Sequence, residues 1–209
     1  VSDVDVCCWA YEAQTRRLRS ALAENAGLIH RKDSHQRTAL HWACVSGQTD
    51  IVKILISLGA EVNAEDDSQW TPLIIASSAG HTDCVTELLA NGANADIATT
   101  NGQTALHYAA SKNRLSIIPT LIQSGCPVAK QDKYGATPLH RAVSRGHLEV
   151  MKLLLSAKAS PNVQDTEGNT PLHLAADEGH KRVYDELKRA GADPDIVNKE
   201  GKKALDMVH

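Results

Sequence analysis

Ten histidines and five cysteines are the residues of this 209-residue chain that could carry metal or covalent chemistry. Histidine offers a neutral nitrogen to a metal and a proton carrier near neutral pH, and cysteine offers a thiolate. Neither type falls into a ligand set. His41, His107, His140 and His173 each stand three residues after a threonine, and His81, His147 and His180 each follow a glycine. A pair such as His140 and His147 could share an ion, but a site needs convergent cysteine or carboxylate partners, and the recurring spacing explains the pair without them. Cys7, Cys8, Cys44, Cys84 and Cys126 are odd in number and form no CxxC pair, so they read as small buried hydrophobes in a reducing compartment. No Gly-rich phosphate loop occurs, and no Ser or Cys stands with a His outside the recurring positions. The sequence predicts no enzyme, no cofactor and no metal.

The recurrence itself is the stronger signal. Thr38, Thr71, Thr104, Thr137 and Thr170 are 33 residues apart, each opening a tetrapeptide: TALH, TPLI, TALH, TPLH and TPLH, with a degraded KALD from Lys203. This period with this tetrapeptide resembles the ankyrin-repeat family. The resemblance implies an all-α solenoid of helix-turn-helix units with β-turn fingers, each unit packing on its neighbours and presenting a surface for protein binding. Composition fits thin, closely packed helices: 42% of residues are hydrophobic, yet Phe is absent and aromatics are 3%. A net charge of −3 and the absence of a basic run discount nucleic acid as a partner. No apolar stretch is long enough to span a bilayer and no signal-peptide pattern opens the chain, so the expectation is a soluble intracellular monomer without membrane attachment.

Within one unit, Asp132 and Gly135 predict a tight turn, Thr137 a helix cap, and Pro138 the first turn of a helix running to Arg145. Gly146 ends that helix, and a second is expected near Leu148 to Ala157, with Val150, Met151, Leu154 and Leu155 at helical spacing. Some units depart from this pattern. Gln36 and Gln69 replace the turn glycine, Asn113 the helix-ending glycine, and Lys158 the glycine after the second helix. Asparagine tolerates the left-handed region, whereas lysine there should cost stability unless the chain rearranges. The period divides the chain into about seven repeats in one array over 1–209: a polar N-terminal cap repeat at 1–34, full repeats over 35–199, and a truncated repeat at 200–209. The last unit would leave an apolar face open, which predicts a further C-terminal segment.

Positions four, seven and eight residues after the threonine share one face of the first helix. Together with the turn tips they give the candidate protein-binding residues. These are Arg37, Trp42, Asp67 and Trp70, then Tyr108, Lys112, Lys133, Tyr134, Arg141 and Arg145, then Glu167, Asp177 and Glu178. Their charges fall in alternating bands, which suits register and encounter with a long partner.

The stretches RTALHWAC (37–44), LHYAASKNR (106–114), KAS (158–160) and QDTEGNTPLHLA (164–175) resemble the gankyrin group of ankyrin proteins, anomalies Asn113 and Lys158 included. That resemblance implies a proteasome assembly chaperone of cytoplasm and nucleus, its concave face of turn tips and first helices binding the C-terminal domain of a regulatory-particle ATPase subunit. By position, Arg37 and Lys112 match basic residues of the group that face the ATPase, and Asp67 with Trp70 match its acidic and aromatic finger. His35 stands where the group has an acidic residue. Ala176 replaces the cysteine of an LxCxE motif linked to retinoblastoma protein, so that contact is not implied. A cyclin-dependent kinase is the alternative partner, and the chain could also be the ankyrin segment of a larger signalling protein.

Overall fold

The computed structural model describes residues 3–208. The chain forms two compact units, Val1–Thr100 and Asn101–His209. In the first unit, α1 (Asp3–Tyr11) and α2 (Thr15–Glu24) precede a 3-10 turn at Ala26–His30. They are followed by α3 (Ala39–Ser46), α4 (Thr49–Ser57), α5 (Pro72–Ala79) and α6 (Thr82–Ala90). First helices stack on first helices, α1 on α3 and α3 on α5, while α4 packs on α6. The second unit repeats the scheme with α7 (Ala105–Ser111), α8 (Ile118–Gln123), α9 (Pro138–Val143), α10 (Leu148–Ser156), α11 (Pro171–Asp177) and α12 (Lys181–Arg189). It closes on a 3-10 turn, Ala204–Met207, packed against α11. These are stacked helix pairs, with no strand among the described residues apart from isolated bridge residues such as the antiparallel pair Val197 and Lys203. None of their helices is long and apolar enough to cross a membrane.

The sequence period dictates the core. In every first helix the residues two and five after the threonine are buried: Leu40 and Ala43, Leu73 and Ala76, Leu106 and Ala109, Leu139 and Ala142, Leu172 and Ala175. Alanine at the second of these lets neighbouring helices approach closely, and second helices such as α10 supply the bulk with Val150, Met151 and Leu154. The N-terminal repeat keeps its core in Leu18, Ala21 and Leu22 while Arg16, Arg17 and Arg19 of α2 are exposed. Helix α9 stops at Val143, two residues short of the sequence expectation, because the chain tightens through Ser144 and Arg145 into Gly146 at φ 72°. At the end of the second unit Ala175, Ala176, Tyr184 and Val208 line a groove of about 400 Å³, and Leu205 is 68% exposed.

The histidines of the tetrapeptide are buried and fully employed. In His41, His107, His140 and His173 the Nδ1 atom accepts the backbone N–H of the threonine three residues earlier, at 3.1–3.2 Å. Because Nδ1 accepts, the proton lies on Nε2, which donates to a carbonyl of the next repeat's turn: Trp70 at 3.0 Å, Ala136 at 3.1 Å, Asn169 at 3.2 Å and Lys202 at 3.1 Å. The imidazole thus replaces the Glu or Gln of an ordinary capping box and adds a tie between repeats. His81, His147 and His180 tie in the opposite direction, from Nε2 to the carbonyls of Val45, Ser111 and Ser144 at 3.1–3.3 Å. In the last repeat Asp206 takes the histidine's place and accepts the N–H of Lys203 at 2.8 Å. Among the described residues no three His, Cys, Asp or Glu side chains are placed to hold a metal ion.

Turns repeat as faithfully. Asp132 Oδ1 accepts the N–H groups of Tyr134 (2.9 Å) and Ala136 (3.1 Å), and Asp33, Asp66, Asp165 and Asn198 do the same in their own turns. Successive turns are joined by one backbone bond, such as Thr166 N–H to the Tyr134 carbonyl at 2.9 Å. The departures from glycine do not rearrange the chain: Gln36, Gln69, Asn113 and Lys158 keep the left-handed conformation, with φ of 61°, 60°, 57° and 68°. Four of the five cysteines are buried as expected, but Cys8 is exposed, since it lies on the outward side of α1 while Cys7 faces inward. Burial pushes the Cys44 and Cys84 thiols up, away from reactivity.

Burial, opposed by the carbonyl bonds, lowers the imidazole pKa of both His41 and His107 from 6.5 to about 4. The folded pKa lies below the unfolded one, so the stability tied to each neutral ring is complete above about pH 6.5 and is lost as pH falls toward 4. Urea unfolding should therefore lose about 2–3 kcal/mol per ring between neutral pH and about pH 4.5, with proton uptake on unfolding in that window; a flat profile there would contradict the neutral-ring geometry. Glycines at the places equivalent to Lys158, namely Gly59, Gly92, Gly125 and Gly191, have open space where a Cβ would stand. Lysine there bears only the backbone cost, and Lys158→Gly should stabilise the fold by about 1 kcal/mol. Gly135 is the opposite case. At φ 72°, with an added Cβ only 2.7 Å from the Thr166 nitrogen, Gly135→Ala should cost about 2 kcal/mol or more by denaturant titration.

Candidate functional site

The face left by the core consists of the positions four, seven and eight after each threonine and of the turn tips beside them. In the first unit the sequence candidates are engaged with one another. Arg37 Nε donates to Asp66 Oδ2 at 3.0 Å; the arginine side chain is 29% exposed and the carboxylate 1%. Its guanidinium also lies 5.5 Å from the centroid of the Trp42 ring. Trp42 donates its indole N–H to Asp33 Oδ2 at 2.8 Å, and Tyr11 meets it edge to face, centroids 6.0 Å apart. Burial pushes the Asp33 carboxyl up, but bonds from Arg37 N–H, the Trp42 indole and His35 N–H outweigh it and hold the group below the usual carboxylate range. Arg37, expected on the exposed surface, is a half-buried residue whose charge is already answered. Asp67 is exposed at its turn tip, and Trp70 is half-buried. Arg37 and Trp70 meet Val45, Ile75, Ser78 and Ala79 around a shallow groove of about 240 Å³.

The second unit sorts its candidates into committed and uncommitted charges. Arg141 bonds Asp132 Oδ2 through Nε at 3.1 Å and through Nη2, while Gln103 donates to the same oxygen at 3.3 Å. Burial raises the Asp132 carboxyl, yet the Arg141 bond and the turn N–H groups hold it below its ordinary value. The Arg141 guanidinium lies 5.8 Å and the Lys133 Nζ 5.2 Å from the ring centroid of Tyr134, which is 52% exposed. Tyr108 is half-buried. Lys112, Arg145, Glu167, Asp177 and Glu178 are exposed. Lys112, Arg145 and Glu178 occupy the same place in successive repeats, eight residues after Thr104, Thr137 and Thr170, and no ion pair among the described residues holds any of them. Since α7 packs on α9 and α9 on α11, these three form a row with spacing of about 10 Å, the distance between packed helices.

Sequence reasoning missed the second oxygen of the turn carboxylate. Asp33 captures Trp42 and Asp132 captures Arg141, each nine residues later. That fixed offset was the signal available. It also missed Tyr11, and the apolar floor that Val45, Ile75 and Ala79 give the first unit's groove.

The family described as ankyrin repeats (3 copies) matches residues 8–66, 64–132, 87–165 and 113–198. Over 63 residues, 30% of this chain and 28% of the relative, the sequence is 46% identical to 26S proteasome non-ATPase regulatory subunit 10 of Homo sapiens, and a match of the same extent to the Mus musculus protein is 45% identical. Over 66 residues, 31% of this chain but 15% of the relative, it is 38% identical to the serine/threonine-protein kinase VIK of Arabidopsis thaliana. The chain therefore spans less than a third of the length of these curated relatives.

Proposed function

The chain belongs to the ankyrin-repeat family, and from that premise we propose that it is a protein-binding scaffold that assists proteasome assembly by holding the C-terminal domain of a base ATPase subunit. The contact would be made by turn tips and first-helix faces. The observation that carries this reading is the row Lys112, Arg145 and Glu178: charges that the fold itself does not use, repeated in register, in the unit that also exposes Tyr134. Similarity to the proteasome subunit supports the choice of partner, although it covers only part of either chain. Opposed charges in a row fix the register of a partner and speed its approach, even where one exposed pair contributes only about 0–1 kcal/mol. The exposed Tyr134 ring would supply the anchor that such pairs lack.

A second reading has its own support. The plant kinase match favours an interaction module within a signalling protein, and a cyclin-dependent kinase is the alternative partner of the same face. The uncommitted charges would serve either partner. Only binding experiments with each separate them.

Arg37 is a poor probe of this surface, because reversing it would leave Asp66 buried and unanswered. Lys112→Glu with Arg145→Glu is the cleaner test. Circular dichroism should be unchanged, and affinity for the cognate ATPase domain should fall about tenfold or more, with raised salt acting likewise on the parent protein. In pull-downs with the separate base ATPase domains, one should bind well above the rest. Uniform or absent binding would remove the proteasome assignment, and capture of a kinase by the same charge row would establish the second reading.

A further inference from the structure

A second groove lies in the first unit, apart from the charge row. It has a volume of about 220 Å³, is walled by Cys7, Cys8, Tyr11 and Trp42, and carries the carboxylates of Glu12 and Asp33. No lysine, arginine or histidine lines it. The Tyr11 and Trp42 rings stand at 87° to each other and so form two sides of a corner. Arg37, the cation already held over the indole, lines the other groove with Trp70 rather than this one. Trp42 lines this groove and touches, through its ring, the Arg37 that lines the other, so one groove is supplied with a cation and the other is not.

We propose that this groove holds the methylated ammonium of a lysine side chain carried by a protein partner. Aromatic faces attract cations, and two carboxylates add charge of the right sign. The remaining lining is thiol, ring carbon and the Ser34 hydroxyl, while Asp33 already accepts from the His35 and Arg37 N–H groups and the Trp42 indole and Glu12 accepts from Gln14, so few acceptors are left for the three N–H donors of an unmodified ammonium. Each methyl group removes one such donor and adds apolar surface that the groove can cover. The volume suits a trimethylammonium head and part of its stem. A protein carries the ligand because the groove adjoins, through Trp42, the turn and first-helix face on which Arg37 and Trp70 lie, so a chain lying there can insert one side chain. The inference goes beyond the ATPase reading and does not depend on it.

The test is a nuclear magnetic resonance titration of the whole chain with N-acetyl-trimethyllysine amide, following the Trp42 indole N–H. Three further probes are the unmethylated lysine derivative, the neutral isostere with carbon in place of the charged nitrogen, and phosphocholine. The trimethyllysine derivative should bind about tenfold more tightly than the lysine form or the isostere, and more tightly than phosphocholine. Tyr11→Leu should weaken it about fivefold, and Glu12→Gln, at an exposed position that leaves the core untouched, should weaken it severalfold with unchanged circular dichroism. Equal binding of the isostere would reduce the groove to an apolar slot. Preference for phosphocholine would transfer it to a lipid headgroup. Absence of a Trp42 shift, or indifference to both substitutions, would overturn the site.

Discussion

The fold rests on a neutral imidazole. In four of the five threonine-capped repeats, with Ile74 standing at the place in the other, one histidine accepts the N–H of its own capping threonine and donates to a carbonyl of the next turn, so a single ring closes a helix end and fastens one repeat to another. Both bonds require the same tautomer; a protonated ring would present a donor where the threonine N–H needs an acceptor. An ankyrin helix of six to eight residues, like α7 or α9, is far too short to persist alone, and its stability must come from neighbours. The histidine bonds make that dependence directional. They set the rotation of one repeat on the next, and the stacked alanines then fill the space so defined.

From that constraint the turns follow. A turn whose carbonyl must meet the preceding histidine, and whose N–H must meet the preceding turn, has little freedom left. Aspartate fixes it from within by accepting two N–H groups, and a left-handed residue completes it. Close approach decides where glycine is favoured. At Gly135 and Gly168 a Cβ would press on the backbone of the following turn, although Gln36 and Gln69 hold the same place in the first unit; after the second helix there is open space and lysine is accepted. Lys158 is thus tolerated for a local steric reason, and its identity says nothing by itself about binding.

Much of this was legible in the residues. Period, caps, helix pairs and the face formed by positions four, seven and eight all follow from spacing, and the structure agrees to within two residues at the end of α9. What the sequence concealed is which charges on that face are free. Arg37 and Arg141 look alike in a list of basic residues beside Lys112 and Arg145, but Asp66 and Asp132 take them up. Asp66 stands 29 residues from Arg37 and was expected to form a turn, so its second oxygen had no assigned role. The pairing depends on the stacking distance between turns, which one-dimensional spacing does not contain.

The outer oxygen of the turn aspartate therefore acts as a sorting device. It lies where the donor four residues after the threonine can reach it, and it takes an indole in one repeat and a guanidinium in another. A donor at that place becomes part of the framework whatever its charge. Positions one turn further along the helix are beyond its reach, so side chains there can change between repeats without disturbing the turn. Lysine, arginine and glutamate succeed one another at those places just past the ends of α7, α9 and α11 because the fold imposes no choice between them. A surface assembled in this way can be retuned for a partner one repeat at a time, while the histidine and aspartate that hold it stay fixed.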